Sequence, residues 1–316
     1  MMIYDDIQGF AYQFPIHSRE HFLGYFFRLK QLISNNVDIE LNLVKRELSL
    51  KVTSSDSQNK VCNFLERVTR KDDIAACHSL YPFYQKFYAI ALNGNKHRSL
   101  PRQSDSILNV RRWRWCSLCV EEDKKEYGVS TWHTNHQNPL VHNCDLHQYQ
   151  LLSQCRHCRF EVTSLDKNYS PPKDNRCPVC GKAFSNNKTE EYCSNRLWLD
   201  SISQRLLCST KMIDLNSIKG QVRNEIGVEQ IKLHYQPKEK ELMRKARLDY
   251  FNTCHSKGVR VMFQFNTPFI TFQDPPAAFS LTKVVYWEPL LPPIVYLLLM
   301  RTFLPESKIE SLLFDL

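Results

Sequence analysis

The sequence predicts a mainly α chain interrupted in its middle by a small cysteine-rich β module. Three observations carry that expectation. Apolar residues recur at helical spacing on both sides of residues 101–195. Inside that stretch three C-x-x-C pairs and one C-x-x-H follow one another. Glycine is scarce, at eight in 316 residues, and neither G-x-x-x-x-G-K-[ST] nor G-x-G-x-x-G occurs, which argues against phosphate-cradling loops and a dinucleotide fold.

The flanks set the domain division. Residues 1–100 read as a helical domain: "SREHFLGYFFRLKQLI" offers Ser18 as an N-cap and Phe22, Tyr25, Phe26, Leu29 and Ile33 on one face. "SSDSQNK" (54–60) reads as a polar loop, and "NKVCNFLERVT", "DDIAACHSL" and "YPFYQKFYAIAL" read as short helices. A helix-turn-helix is one arrangement open to such a group. "NGNKHRSLPRQSDS" (93–106) reads as a linker into the module at 101–195. Residues 196–316 turn helical again. "RLWLDSISQRLL" places Leu197, Trp198, Ile202 and Leu206 on one face. "KEKELMRKARLDYFNTCHSKG" carries Lys238, Lys240, Arg244, Lys245 and Arg247 on a basic face, and "PPIVYLLLMRTFLPESKIESLLF" gives an apolar helix, a turn at Pro305 and a short amphipathic helix.

Charge and targeting signals narrow the classes. The net charge is +9, spread as +3, +2 and +4 over the three segments, with no basic arm. That fits a mildly basic surface or a nucleic-acid partner. The start "MMIYDDIQGF" lacks the apolar region of a leader, and "LLPPIVYLLLM" is too short and too proline-broken for a membrane span. The expectation is a soluble, cytoplasmic protein whose twelve cysteines stay reduced.

Reduced cysteines in C-x-x-C pairs are metal ligands before they are anything else. Taken in order, Cys116, Cys119, Cys144 and His147 form site one, and Cys155, Cys158, Cys177 and Cys180 form site two. Each offers four ligands, the closed set of a structural zinc, so two structural zinc ions per chain are expected and no open position for a reactive water. The deaminase pattern H-x-E…P-C-x-x-C and the protease pattern H-E-x-x-H are both missing. No catalytic residue is assigned, and no enzyme is expected. His133, His136 and His142 lie between the halves of site one, in a segment whose alternation suggests short strands, and read as surface or outer-shell residues. His157 should point outward, and Cys193 is the one stray that could compete at site two.

The order "WCSLCVEED…YGVSTWHTNHQNPLVHNCDLHQYQLLSQCRHC" resembles the zinc core of the TniQ family. Cys116 and Cys119, Tyr127 and Trp132, Cys144 and His147, Leu151 and Leu152, then Cys155 and Cys158 carry the resemblance. Phe14, Pro15, Glu20, Leu23, Arg28 and Leu29 are similar to the family's opening. Gln148 stands where the family usually has a glycine. The resemblance covers about residues 10–180. It implies a non-catalytic selector of target sites in Tn-seven-like transposition.

Two types are open. The short type resembles those that ride, as a homodimer, on a Cascade CRISPR effector with guide RNA and hand its choice of site to a TnsC-like ATPase and the transposase. The long TnsD type reads target DNA through a C-terminal extension. The even charge and an end at Leu316 without such an extension point to the first type. Contact with target DNA is then indirect or weak, and no membrane partner is expected.

Overall fold

The computed structural model describes residues 11, 13–34, 55–71, 73–88, 112–165, 168–184, 194–228, 236–256, 258–262, 280–286 and 291–315. Among these the helices are α1 (Phe22–Ser34), α2 (Ser55–Thr69), α3 (Ile74–Cys77), α4 (Tyr81–Tyr88), α5 (Ser117–Tyr127), α6 (Ser194–Cys208), α7 (Leu215–Ile226), α8 (Pro237–Cys254), α9 (Leu281–Tyr286), α10 (Pro293–Phe303) and α11 (Glu306–Leu313). The β content of the described residues is five isolated antiparallel bridges. The chain divides into two units, Met1–Pro82 with Val110–Glu190, and Phe83–Asn109 with Glu191–Leu316. The 93–106 linker and Cys193 lie outside the described residues.

In the first unit α1 buries Phe22, Tyr25, Phe26, Leu29 and Ile33, the predicted face, with Phe27 partly buried beside them. The helix begins at Phe22 and not at Ser18, which falls in a turn. Tertiary contacts displaced the expected cap: the Phe22 amide donates to the His78 carbonyl at 2.8 Å, and the Leu23 amide to His21 Nδ1 at 3.2 Å. Helix α2 takes in most of the expected polar loop, starting at Ser55. Serine and aspartate suit a first helical turn, where free backbone N–H groups seek acceptors. Val61, Phe64, Leu65 and Val68 of α2 close on α1.

That core does not stop at the helices. Trp115, Trp132, Val162, Leu165, Phe184, Cys155 and Cys177 belong to the same buried cluster. Trp132 is fully buried, packs edge-on to Trp115 at 6.0 Å between ring centres, and donates through Nε1 to the Asn168 carbonyl at 3.1 Å. A Cβ at Gly24 would meet the Trp132 Cβ at 3.1 Å, so α1 can lie this close to Trp132 only where residue 24 has no side chain.

The second unit is built around α10. Ile294 through Met300 are all fully buried, as expected of a helix apolar on every side. Helices α6, α7, α8 and α11 surround it. Helix α7 is capped by Asp214, which accepts from the Asn216 amide at 2.9 Å, and ends at Gly227 with φ +80°. Helix α8 opens with Pro237 and a reciprocal Gln236–Glu239 cap. It buries Met243, Ala246, Tyr250 and Cys254 and exposes its basic residues, with Arg244 paired to Glu241 at 2.7 Å. Helix α6 turns Leu199, Ile202 and Leu206 inward and leaves Leu197 exposed, a face one step round from the expected one. The Lys86 ammonium reaches the Leu206 carbonyl at 2.6 Å, meeting the negative C-terminal end of α6. Among the described residues no helix is long and apolar enough to cross a membrane.

Candidate metal centres

Three of the four half-sites share one backbone design. In each, the first ligand's amide donates to the carbonyl five residues on: Cys144 to Tyr149 at 2.8 Å, Cys155 to Phe160 at 2.7 Å, Cys177 to Lys182 at 2.9 Å. Four residues on, the amides of Gln148, Arg159 and Gly181 return to the first ligand's carbonyl at 2.9 Å each. One bridge clasps each turn, at 143/150, 154/161 and 176/183. These bridges are what the expected ribbon strands amount to. Closing the turn needs a left-handed residue after the second ligand, and Gln148, Arg159 and Gly181 take φ of +56°, +60° and +68°. A side chain there costs about 1–2 kcal/mol, while glycine gives back about 0.5–1 kcal/mol in entropy. Gln148→Gly and Arg159→Gly should therefore each stabilise the protein, by about 0.5–1 kcal/mol. A thermal melt at constant zinc content checks this, and a lowered midpoint in both variants would refute it.

The fourth half-site differs. "CSLC" is not a knuckle but the start of α5: Cys116 is its N-cap, and Cys119 lies in its first turn. Thiolates there face free N–H groups and the positive end of the helix dipole, which favour the charged sulfur.

Site one is compact. His147 Nδ1 lies 3.5, 3.4 and 3.6 Å from the sulfurs of Cys116, Cys119 and Cys144, and Cys119 and Cys144 are 3.5 Å apart. A tetrahedral zinc with Zn–S of about 2.3 Å and Zn–N of about 2.0 Å has S···N edges of about 3.5 Å and S···S edges of about 3.8 Å. The four atoms fit that ion. His147 presents Nδ1 to the sulfurs, and its Nε2 meets Glu122 at 3.0 Å, a carboxylate placed to hold the ring's tautomer and direction. Glu122 was not singled out from the sequence, though it follows Cys119 by three on α5, one helical turn away.

Site two places the sulfurs of Cys155 and Cys180 3.7 Å apart and those of Cys158 and Cys177 3.5 Å apart. All four ligand atoms of each site lie within 4.8 Å of one another. Site two therefore fits an all-thiolate zinc. The sites differ in surroundings. Cys116, Cys119 and Cys144 are buried in a small cluster with Val141 and Leu151. In site two Cys155 and Cys177 are buried in the large core, Cys180 is half-buried and Cys158 is exposed.

Of the surface and outer-shell positions open to them, His133 and His136 take buried, outer-shell ones, and His142 is half-buried. His133 Nε2 sits 3.0 Å from the Asp123 carboxylate, which also accepts from the Thr131 amide and hydroxyl at 2.9 Å. Burial alone would raise the Asp123 carboxyl, but the His133 and Thr131 contacts hold it below the usual carboxylate range. His136 stacks on His133 at 4.8 Å, and its Nε2 is 3.9 Å from the Cys119 sulfur. Groupings of His136 with Cys119 or Cys144 share those thiols with site one, so they make no separate centre. His157 is exposed, as expected.

A buried imidazole elsewhere in this unit makes stability pH-dependent. Burial, and next the adjacent His78, pushes His21 from 6.5 down to about 3. Between those values the unfolded chain binds a proton that the folded chain refuses. The stability due to neutral His21 is thus complete above pH 6.5 and lost as pH falls toward 3, at up to about 1.4 kcal/mol per pH unit. His21→Gln should flatten the acid side of a pH–stability curve. An unchanged slope would count against this.

No curated protein matches the chain. The family model described as TniQ matches residues 12–151. That span includes α1, the Glu20–Arg28 ion pair at 2.7 Å and all four residues of site one, and it ends before Cys155. Over residues 12–151 the chain is thus similar to the TniQ family.

Proposed function

We propose that this chain is a non-catalytic target-selection adaptor of a Tn-seven-like, CRISPR-associated transposon. It links a guide-RNA Cascade complex to the transposition ATPase and the transposase, and it works as a homodimer. The observation that carries the reading is the TniQ match with site one intact inside it. Both sites hold zinc through Cys116, Cys119, Cys144 and His147 and through Cys155, Cys158, Cys177 and Cys180. With four protein ligands each, both ions are structural. The metal supplies cross-linking of the half-sites, and the residues around it place the surfaces that partners read. On this reading the helical segment 1–100, the zinc module 101–195 and the helical segment 196–316 each serve recruitment.

The runner-up is a TnsD-like selector that reads target DNA directly, and the exposed Lys238, Lys240 and Lys245 of α8 give it some footing. Binding separates the two. Purified protein should carry two zinc ions per chain and bind duplex DNA without sequence preference, with Kd of about 10⁻⁴–10⁻⁶ M. It should co-purify with a guide-loaded Cascade. A footprint on one defined site without guide RNA, at about 10⁻⁸ M or tighter, would replace the adaptor by the direct reader.

A further inference from the structure

We propose that Cys158 is a site of oxidative modification by peroxides, and that its oxidation releases the zinc of site two while site one keeps its own. The inference rests on the zinc assignment above and goes beyond it.

Three observations carry it. The first is access. Cys158 is an exposed thiol, whereas Cys116, Cys119 and Cys144 are no more than 2% exposed. Oxidation needs contact between sulfur and oxidant, so accessible thiolates react first. The second is the ligand set. Four thiolates on a dication leave a centre of net −2, and three thiolates with an imidazole leave −1. The more negative centre has the more nucleophilic sulfur. The surroundings differ in shielding as well: at site one His136 lies over the Cys119 sulfur at 3.9 Å, whereas the neighbours of Cys158, His157 and Arg159, are themselves exposed. The third is a resolving thiol. The Cys177 sulfur lies 3.5 Å from that of Cys158, in the opposite knuckle.

The chemistry balances. The Cys158 thiolate attacks one peroxide oxygen; an S–O bond forms, the O–O bond breaks, and the departing hydroxide takes a proton to leave as water. The Cys177 thiolate then attacks the sulfenic sulfur; an S–S bond forms, the S–O bond breaks, and a second hydroxide is protonated to water. Two thiolates, one hydrogen peroxide and two protons become one disulfide and two waters. The two sulfurs lose two electrons and the peroxide gains them. Zinc leaves as the dication, unchanged in oxidation state, because two of its ligands are gone.

The consequence is structural. Cys177 and Cys155 are part of the cluster that holds Trp115, Trp132 and Phe184, so loss of this zinc loosens the core of the first unit. Thiol reductant plus zinc reverses the step, since a disulfide is the reversible rung of thiol oxidation.

The test uses the full zinc-loaded chain, titrated with hydrogen peroxide while a chromogenic chelator reports free zinc and differential alkylation with mass spectrometry reports each thiol. The expected result is two phases. One zinc per chain leaves first, roughly tenfold faster than the second, as accessibility dictates. In that phase Cys158 and Cys177 become unavailable to alkylation and Cys116, Cys119 and Cys144 do not. Cys158→His keeps four ligands at site two and removes the accessible thiolate. It should hold two zinc ions and lose the fast phase. Release of both ions in one phase, oxidation that spares Cys158, or a fast phase that survives in Cys158→His would each overturn this inference alone. A reduced preparation with no zinc at site two would overturn the metal assignment and this inference together.

Discussion

Cys177→Ser is expected to strip one zinc from the chain and to unfold the first unit. Cys177 is 2% exposed and its backbone closes a knuckle, so the serine hydroxyl would replace the sulfur in a buried place. A neutral hydroxyl is a poor substitute for a thiolate ligand, and the remaining three thiolates lose the closed tetrahedron. Structural zinc supplies on the order of 10 kcal/mol to such a module. A domain's whole stability is about 5–15 kcal/mol, so the loss is comparable with everything that holds the unit folded. The location amplifies it. Cys177 and Cys155 pack in the cluster that contains α1, α2, Trp115 and Trp132, and Trp115 rests edge-on against Phe184, one residue beyond the clasp of this knuckle, at 5.2 Å. Elemental analysis should find one zinc per chain, and near-ultraviolet circular dichroism should lose the part of its tryptophan signal that comes from Trp113, Trp115 and Trp132 of the first unit. A serine variant with two zinc ions and an unchanged melting point would refute the site-two assignment.

Arg28→Met should cost the first unit about 3–5 kcal/mol, the size of breaking a buried ion pair by removing one partner. Both side chains of the pair are buried. The Arg28 Nε and Nη2 donate to the two Glu20 oxygens at 2.9 and 2.7 Å, and Nη2 also donates to the Pro15 carbonyl at 2.9 Å. The Glu20 carboxylate further accepts from the His17 amide at 3.2 Å. Methionine fills the stem's volume but leaves an uncompensated carboxylate out of water. The double variant Glu20→Leu with Arg28→Met should recover more than half of the loss, because two apolar side chains leave no buried charge behind. Urea unfolding followed by tryptophan fluorescence reads both. A loss below about 1 kcal/mol in the single variant would mean that water reaches the carboxylate and that the pair is a surface one.

The sequence by itself determined which cysteine and histidine half-sites come together and where the main helices lie. Both signals are local. A C-x-x-C or C-x-x-H spacing closes one turn whatever surrounds it, and two half-sites adjacent in sequence are the ones a short chain can bring together, as it does for Cys144 and His147 with Cys116 and Cys119, and for Cys155 and Cys158 with Cys177 and Cys180. The 3.6-residue period likewise named the buried face of α1 correctly, and the apolar run after Pro293 marked helix α10. What only the tertiary structure decided depended on residues far apart in the chain. The start of α1 moved from Ser18 to Phe22 because the His78 carbonyl, more than fifty residues on, accepts the Phe22 amide. His133 and His136 went inside because Asp123 on α5 supplies a carboxylate and His136 a stacking partner, which no period or spacing announces. The need for glycine at position 24 comes from Trp132 packed against it. The unequal burial of the two centres arose the same way: site two shares its sulfurs with the large core at one end and shows Cys158 to solvent at the other. Burial is a property of what packs against a residue, and that is settled by contacts across the whole fold.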